Sequence, residues 1–288
     1  MSSWSYEVPL ELSEGQYARW QALLEQRTGI CFLQHKSILQ TGLNQRMKEA
    51  GYDNYEHYFN WVNRVPEGLA EWTRLVDSIS VNETSFFREP DAYNTVRNFL
   101  ADYLNNQTDR KNLTLWSLGC STGEEAYSLA MVANDVIDYL AHETLFGVVA
   151  TDISRTALAI ARKAEYGQRK LEMVPVAIRN KHFIAIEPGT YKIKDELKKR
   201  VCFAPGNLIE MGKMPSMKMD VIFCQNVLVY FQRHRKEQVL NSLVRHLNPG
   251  GLMVLGSGEA SGWQHASLTR YTDELVTAYV KQPNSNEG

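Results

Sequence analysis

From residue 113 onward the chain settles into an alternation that few architectures can accommodate. Short aliphatic and β-branched runs, LTLWSLG (113–119), LFGVVATD (145–152), VCFAPGN (201–207), MDVIFCQN (219–226) and LMVLGSG (252–258), are separated by other segments. Several of these, GEEAYSLAMVANDVIDYL (123–140), ISRTALAIARKA (153–164) and HRKEQVLNSLVRHLN (234–248), carry apolar residues at helical spacing. Continuous apolar runs suit strands covered on both faces, and the intervening helices supply that cover. The alternation predicts an α/β fold with a parallel sheet and crossover helices. TAYVKQ near the C-terminus is a candidate last strand, and Pro188-Gly189 within 183–200 predicts a β-hairpin inserted into the alternation.

Upstream the texture is different. Between Ser13 and Asp77 the apolar residues Tyr17, Trp20, Leu23 and Leu24, then Ile38, Leu39, Leu43 and Met47, recur at three- and four-residue spacing. The pattern continues through Tyr55, Tyr58, Phe59 and Val62, and through Leu69, Trp72, Leu75, Val76 and Ile79. These stripes predict an all-α domain over residues 1–80 and by themselves report core packing.

Bulk properties exclude several classes. A net charge of −2 argues against a surface devoted to nucleic acid, and 44% hydrophobic with 22% charged residues is a globular composition. The opening residues lack a basic, then apolar, leader, and no segment is apolar enough to span a membrane, so no membrane insertion is expected. Cys31, Cys120, Cys202 and Cys224 are scattered without C-x-x-C spacing. That pattern predicts neither a metal site nor disulfides and favours a cytoplasmic location. Asn82-Glu83-Thr84 fits a glycosylation tripeptide, which matters only in secreted chains.

The chemistry is concentrated where strands end. GCSTGEEAY puts Gly119 at a strand end and Gly123 at a helix start, the strand–glycine loop–helix arrangement that binds nucleotide-like ligands. It is not the G-x-G-x-x-G of Rossmann dinucleotide sites. Glu124 and Glu125 at the helix start repel a pyrophosphate but can hold an ammonium, and simple capping of the helix dipole is the competing reading. Asp152 ends the next strand, where a carboxylate accepts hydrogen bonds from ribose hydroxyls or caps the following helix. Ammonium, ribose and positive charge together describe S-adenosylmethionine better than NAD. In MDVIFCQNVLVYF (219–231), Gln225 and Asn226 bring polar groups to the same sheet edge; the N-P-P-Y pattern of amino-methyltransferases is absent.

SVNETSFFREP (80–90) stands apart, and a helix cap followed by two core phenylalanines is its ordinary reading. Taken together, NETSFFRE, GCSTGEEAYSLAM, ATDIS, the NL of APGNL, FCQNVLVYF and NPGGLMVLGSGE resemble, in order and spacing, the CheR family of chemoreceptor glutamate methyltransferases. The likeness covers roughly residues 13–282.

The resemblance implies a Rossmann-like S-adenosylmethionine-dependent methyltransferase domain over 93–288, with a small antiparallel β insert at about 183–200. A linker, 81–92, would lie over the cofactor, and the all-α domain of 1–80 would recognise the receptor. By likeness, Asn82, Thr84, Arg88, Gly119, Glu125, Asp152, Asn207, Leu208, Gln225 and Asn226 bind the cofactor, whose product is S-adenosylhomocysteine. Glu125 would hold the methionine ammonium, Asp152 the ribose, and Asn207 with Leu208 the adenine. Arg88 and Tyr230 would orient the acceptor carboxylate, and Phe86 with Phe87 would pack the domain junction. The implied partners are cytoplasmic helices of methyl-accepting chemoreceptors, met by a monomer through Lys36, Arg46 and Lys48.

Three departures bear on this. Gln225 stands where the family usually has arginine, which would weaken a charged contact near the cofactor. On KSILQTGLNQRMKEAG, only Lys36, Arg46 and Lys48 are basic, Gly42 stands where an arginine is common, and residues 1–80 carry seven basic against ten acidic side chains. The three cations can equally be a solvated face. The insert IAIEPGTYKI lacks the longer loop of relatives that dock on a receptor tether, so independence from such a tether is expected. The reading of another class is a non-catalytic S-adenosylmethionine-binding scaffold, to which Gln225 points.

Overall fold

The computed structural model describes residues 10–32, 36–64, 66–107, 110–271 and 275–283; residues 284–288 of the polar tail lie outside these. Two units divide the chain, Met1–Val81 and Asn82–Gly288.

In the first, α1 (Glu14–Thr28), α2 (Lys36–Ala50), α3 (Tyr55–Val62) and α4 (Leu69–Ile79) follow the four expected stripes. A reciprocal cap between Ser13 and Gln16 starts α1, satisfying amide donors that the first turn cannot pair. Trp20, Leu24, Leu39, Leu43, Tyr58, Leu75 and Ile79 are buried together as its core. The core admits one charge network. Arg46 forks onto Glu71, Nε to Oε1 and Nη2 to Oε2 at 2.9 Å each, and the Tyr58 hydroxyl donates to Glu71 at 2.8 Å. Burial alone would raise the Glu71 pKa, but the bonds from Arg46 and Tyr58 outweigh it and hold the carboxyl below its ordinary range.

The second unit contains α5 (Pro90–Asn105), β1 (Asn112–Leu118), α6 (Glu124–Leu140), β2 (Leu145–Asp152), α7 (Arg155–Lys163), β3 (Glu165–Gly167) and α8 (Val176–His182). It continues through β4 (Phe183–Glu187), β5 (Thr190–Ile193), α9 (Asp195–Lys198), β6 (Val201–Pro205), β7 (Met219–Cys224), α10 (Arg233–His246), β8 (Leu247–Leu255), β9 (Leu268–Arg270) and β10 (Thr277–Lys281). The main sheet has the order β6-β2-β1-β7-β8-β10-β9, parallel from β6 to β8, with β10 and β9 antiparallel. Strands following β1 go to one side as β2 and β6, and to the other as β7 and β8. The carboxyl ends of β1 and β7 therefore flank a topological switch point, the position where such sheets bind ligands.

Every residue of β7 is buried, as a strand covered on both faces requires. Asp220, at its amino end, is far from the switch point in register. It accepts from the Thr114 amide at 2.8 Å, Asn248 at 2.8 Å and Tyr103 at 3.2 Å, and it pairs with Arg110. It ties β1, β7 and β8 together at the end of the sheet opposite the ligand edge.

The expected hairpin forms as β4 and β5, and β3 joins it to give a separate three-stranded antiparallel sheet. Phe86 is fully buried in the core of this second unit, edge-on to Tyr166 (4.9 Å) and Phe183 (5.3 Å). Burying such a ring stabilises the unit by about 2–3 kcal/mol. Phe86 thus packs in the core of the second unit, where the sequence suggested a junction. Among the described residues no helix is long and apolar enough to cross a membrane.

Candidate active site

The turn leaving β1 is shaped by close approach. Gly119 has φ 72°, and a Cβ there would meet Val227 Cγ2 at 2.3 Å, so only glycine lets this loop touch the loop leaving β7. Its amide and that of Cys120 both donate to the Thr151 carbonyl, at 2.8 and 3.1 Å, which seats the loop against the end of β2.

Asp152 follows at that end, 9% exposed. Its Oδ2 accepts from the Ser121 amide at 2.7 Å and its Oδ1 from the Ser154 amide at 2.8 Å, so two amides fix its plane. The N-cap of α7 is instead Ser154, whose hydroxyl accepts from the Ala157 amide at 3.1 Å. Asp152 thus serves the turn geometry without being the helix cap itself.

Glu124 and Glu125 part ways. Glu124 is buried, pairs with Lys170 at 2.8 Å and accepts from the Thr122 hydroxyl at 2.6 Å. The same Lys170 ammonium donates to the Thr84 carbonyl at 2.6 Å, fastening the 82–88 segment to α6. Glu125 is partly buried and turns to β1, accepting from the Ser117 hydroxyl at 2.7 Å. Burial pushes its pKa well up; the Ser117 bond opposes this, while the charges of Glu259 and Asp152 add to it and Arg88 counters them. A carboxyl held this way is poised for a cation.

The remaining candidates fall around this edge. Asn82 accepts from the Ser121 hydroxyl at 3.3 Å, and Ser121 thereby connects Asn82 to Asp152. Arg88 is exposed and donates to the Glu83 carbonyl at 2.9 Å, bending the 83–88 segment into a turn. The Phe87 amide donates to Ser128 at 3.1 Å, a second tie of this segment to α6. Asn207 caps a short 3-10 turn by accepting from the Ile209 amide, with Leu208 buried beside it. Gln225 is buried, its amide nitrogen 3.4 Å from the Leu255 carbonyl. Asn226 has φ 58°, a left-handed conformation that asparagine tolerates better than most residues. Tyr230 closes a 3-10 turn, Leu228–Tyr230, that follows it.

Lys36, Arg46 and Lys48 belong to the first unit and are not equivalent there. Lys36 pairs with Glu14, and Arg46 is only 11% exposed, with its guanidinium on Glu71 and Glu49. Gly42 is buried, and a Cβ there would meet Ile79 Cγ2 at 2.4 Å. This chain therefore has no room for an arginine at that position without moving α2 from α4.

Four residues at this sheet edge escaped sequence reasoning: Ser117, Ser121, Lys170 and Glu259. The serines sit inside otherwise ordinary strand and loop text, and Lys170 is distant in sequence from everything it holds. Glu259 had a signal, the GSGE at the end of a strand, but no role attached to it.

The arrangement fits a cationic nucleoside. The charges of Asp152 and Glu259 both act on Glu125 at the carboxyl edge of a parallel sheet, and the glycine cradle lets a ligand approach the backbone. A phosphate would meet repulsion there, whereas an ammonium or sulfonium relieves it.

Comparisons with known proteins agree. Residues 82–274 match the family described as CheR methyltransferase, SAM binding domain, and residues 15–80 match CheR methyltransferase, all-alpha domain. A chemotaxis protein methyltransferase of Escherichia coli is 30% identical over 87% of this chain and 86% of its own. One from Borreliella burgdorferi is 26% identical, covering 88% and 91%. A Pseudomonas aeruginosa protein described as "Probable biofilm formation methyltransferase WspC" is 31% identical over 84% of this chain, which spans 56% of that longer protein. Both matched domains, their order along the chain and the carboxylate-lined switch point lead to one assignment: this chain is an S-adenosylmethionine-dependent methyltransferase of the CheR family.

Proposed function

We propose that the enzyme esterifies glutamate side chains on the cytoplasmic helices of a chemoreceptor, working in the cytoplasm. The observation that carries the reading is the pairing of a carboxylate-lined cofactor edge with the Asn226–Tyr230 loop against it. Relatives named chemotaxis protein methyltransferases support the choice of a receptor.

In this reading Glu125 holds the cofactor ammonium, Asp152 its ribose, and Asn207 with Leu208 its adenine. Asn82, Thr84, Gly119, Gln225 and Asn226 complete the enclosure. The cofactor supplies an electrophilic methyl on a sulfonium, which leaves as a neutral thioether when an acceptor oxygen takes the methyl. A glutamate carboxylate, with an ordinary pKa of about 4.3, is already ionised near neutrality, so the chain needs no general base. Its task is to position the acceptor and exclude water from it. Arg88 and Tyr230 orient the carboxylate, binding it loosely enough to leave one oxygen reactive.

Lys36 and Lys48 remain the candidates for receptor contact on α2, while Arg46 would act by holding α2 in place. Gln225 substitutes a neutral contact for a charged one, which affects cofactor affinity more than reaction class. The short β4–β5 turn supports tether independence.

Calorimetric titration with S-adenosylhomocysteine beside NAD tests the cofactor reading. Saturable binding of the first and none of the second is expected. Receptor fragments with and without a C-terminal tether then test the substrate. Methylation of the tethered fragment alone would refute tether independence.

A further inference from the structure

Glu259 lies in the loop leaving β8 and is 2% exposed, yet no cation accompanies it among the ion pairs of the described residues. Its partners are backbone amides. Oε2 accepts from the Gly256 amide at 2.8 Å and Oε1 from the Val229 amide at 3.1 Å. The amides of Leu228 and Val227 add to the same cradle, and together these donors oppose the upward push of burial on its pKa. A Cβ on Gly256 would meet Glu259 Oε2 at 2.4 Å and the Asn226 amide nitrogen at 3.0 Å, so carboxylate and Asn226 backbone lie against the same glycine.

This carboxylate therefore joins two loops. One leaves β8; the other, residues 225–231, carries Gln225, the left-handed Asn226 and the Tyr230 turn. Hydrogen bonds to a charged acceptor are stronger than neutral ones, and a buried carboxylate without a counter-ion is costly to retain. A neutral core residue would pack here at less cost, so the charge needs a reason beyond filling space. Glu259 also reaches the cofactor edge electrostatically, since its charge acts on Glu125.

We propose that Glu259 is a positioning residue for methyl transfer: bound to the Gly256 and Val229 amides, it holds the 225–231 loop so that Asn226 and Tyr230 meet the transferring methyl. The proposal rests on the roles given to Asn226 and Tyr230 above. Glu259 itself touches neither cofactor nor acceptor in this scheme.

The test uses the full chain and Glu259→Gln, which keeps the shape, can accept from one amide and opposes the other with its own NH2. Four quantities are read: S-adenosylhomocysteine affinity, kcat at saturating cofactor with a receptor fragment, amide exchange at Gly256 and Val229, and the acid limb of product binding. The expected result is affinity within about threefold at alkaline pH and kcat down at least about tenfold. Exchange should quicken at Val229 and less at Gly256, whose amide also donates to the Cys224 carbonyl at 3.2 Å, and the acid limb should move to lower pH because Glu125 loses a neighbouring charge. Unchanged kcat overturns the proposal, and so does a kcat that falls only in step with product affinity and thermal stability, as general damage would produce. If wild type binds the product but methylates no receptor fragment, the substrate reading fails separately. Amide exchange and the acid limb then decide Glu259 alone, and no change in either overturns it.

Discussion

Asp152 and Glu125 are both carboxylates at one sheet edge, yet their surroundings assign them different behaviour. Asp152 is fixed by two amides, and a ribose would add hydrogen bonds to a charged acceptor, each contributing about 1.5–3 kcal/mol. Asp152→Ala is expected to weaken S-adenosylhomocysteine binding by about 3 kcal/mol, roughly a hundredfold by calorimetry. Equal affinity in the variant would remove Asp152 from the cofactor site. Glu125 has its pKa raised chiefly by burial, whereas a bound ammonium favours its charged form. Cofactor binding must therefore release a proton, so affinity rises with pH through the raised pKa and levels off above it. Glu125→Gln should bind weakly with that pH dependence flattened, which titrations across pH will read.

The same sign rule separates Glu125 from Glu71. A raised carboxyl holds its proton more tightly in the folded state, so its contribution to stability declines as pH rises from the unfolded value through the folded one. Glu71, lowered by Arg46 and Tyr58, contributes stability above its unfolded pKa and loses it as pH falls through the folded value. Sequence alone made these residues look alike. The adjacent Glu124 and Glu125 differ only by which neighbour the helix start points each one toward, Lys170 or Ser117, and neither neighbour is identifiable without the fold.

Among the elements, α2 combines the receptor question with packing. Arg46→Ala removes the bidentate partner of buried Glu71 and leaves it only the Tyr58 hydroxyl and the exposed Arg74 at 3.3 Å, at a cost of about 3 kcal/mol in the stability of the first unit. Denaturation with urea will read this, and an unchanged midpoint would show that the Arg46–Glu71 pair does not hold the helices together. Gly42→Arg should cost about 1–3 kcal/mol by forcing α2 away from Ile79. A Gly42→Arg protein as stable as wild type would show that the two helices part easily.

Long elements were legible from their period and short ones were not. β1, β2 and β7 appeared as apolar runs within a residue or two of their observed bounds, because burial on both faces writes a continuous signal, and β6, an edge strand with no fully buried residue, was matched as closely. β8 begins at Leu247, five residues earlier than its apolar run suggested. The Pro249-Gly250-Gly251 stretch is taken up within β8 as a register shift between Met219 and Val221. β3 and β9 have three residues each, too few to display any alternation, and β3 gains strand character only by pairing with β5.

Across the whole molecule, the cofactor candidates fall within Asn82–Gly288 and the receptor-facing candidates within Met1–Val81. Motif text disclosed the catalytic unit because strand ends, glycines and carboxylates must recur wherever a nucleoside is held. The helical unit disclosed less, since a basic helix face and a structural arginine look the same in sequence.

The most direct test of the account combines the full chain with S-adenosylmethionine and a receptor cytoplasmic fragment lacking any tether. Peptide mass spectrometry then locates the transferred methyl. The account predicts alkali-labile methyl esters on glutamate side chains, formed by wild type and lost with Arg88→Ala or Asp152→Ala. Saturable product binding without any ester on tethered or tetherless fragments, or a methyl found on nitrogen, would contradict it.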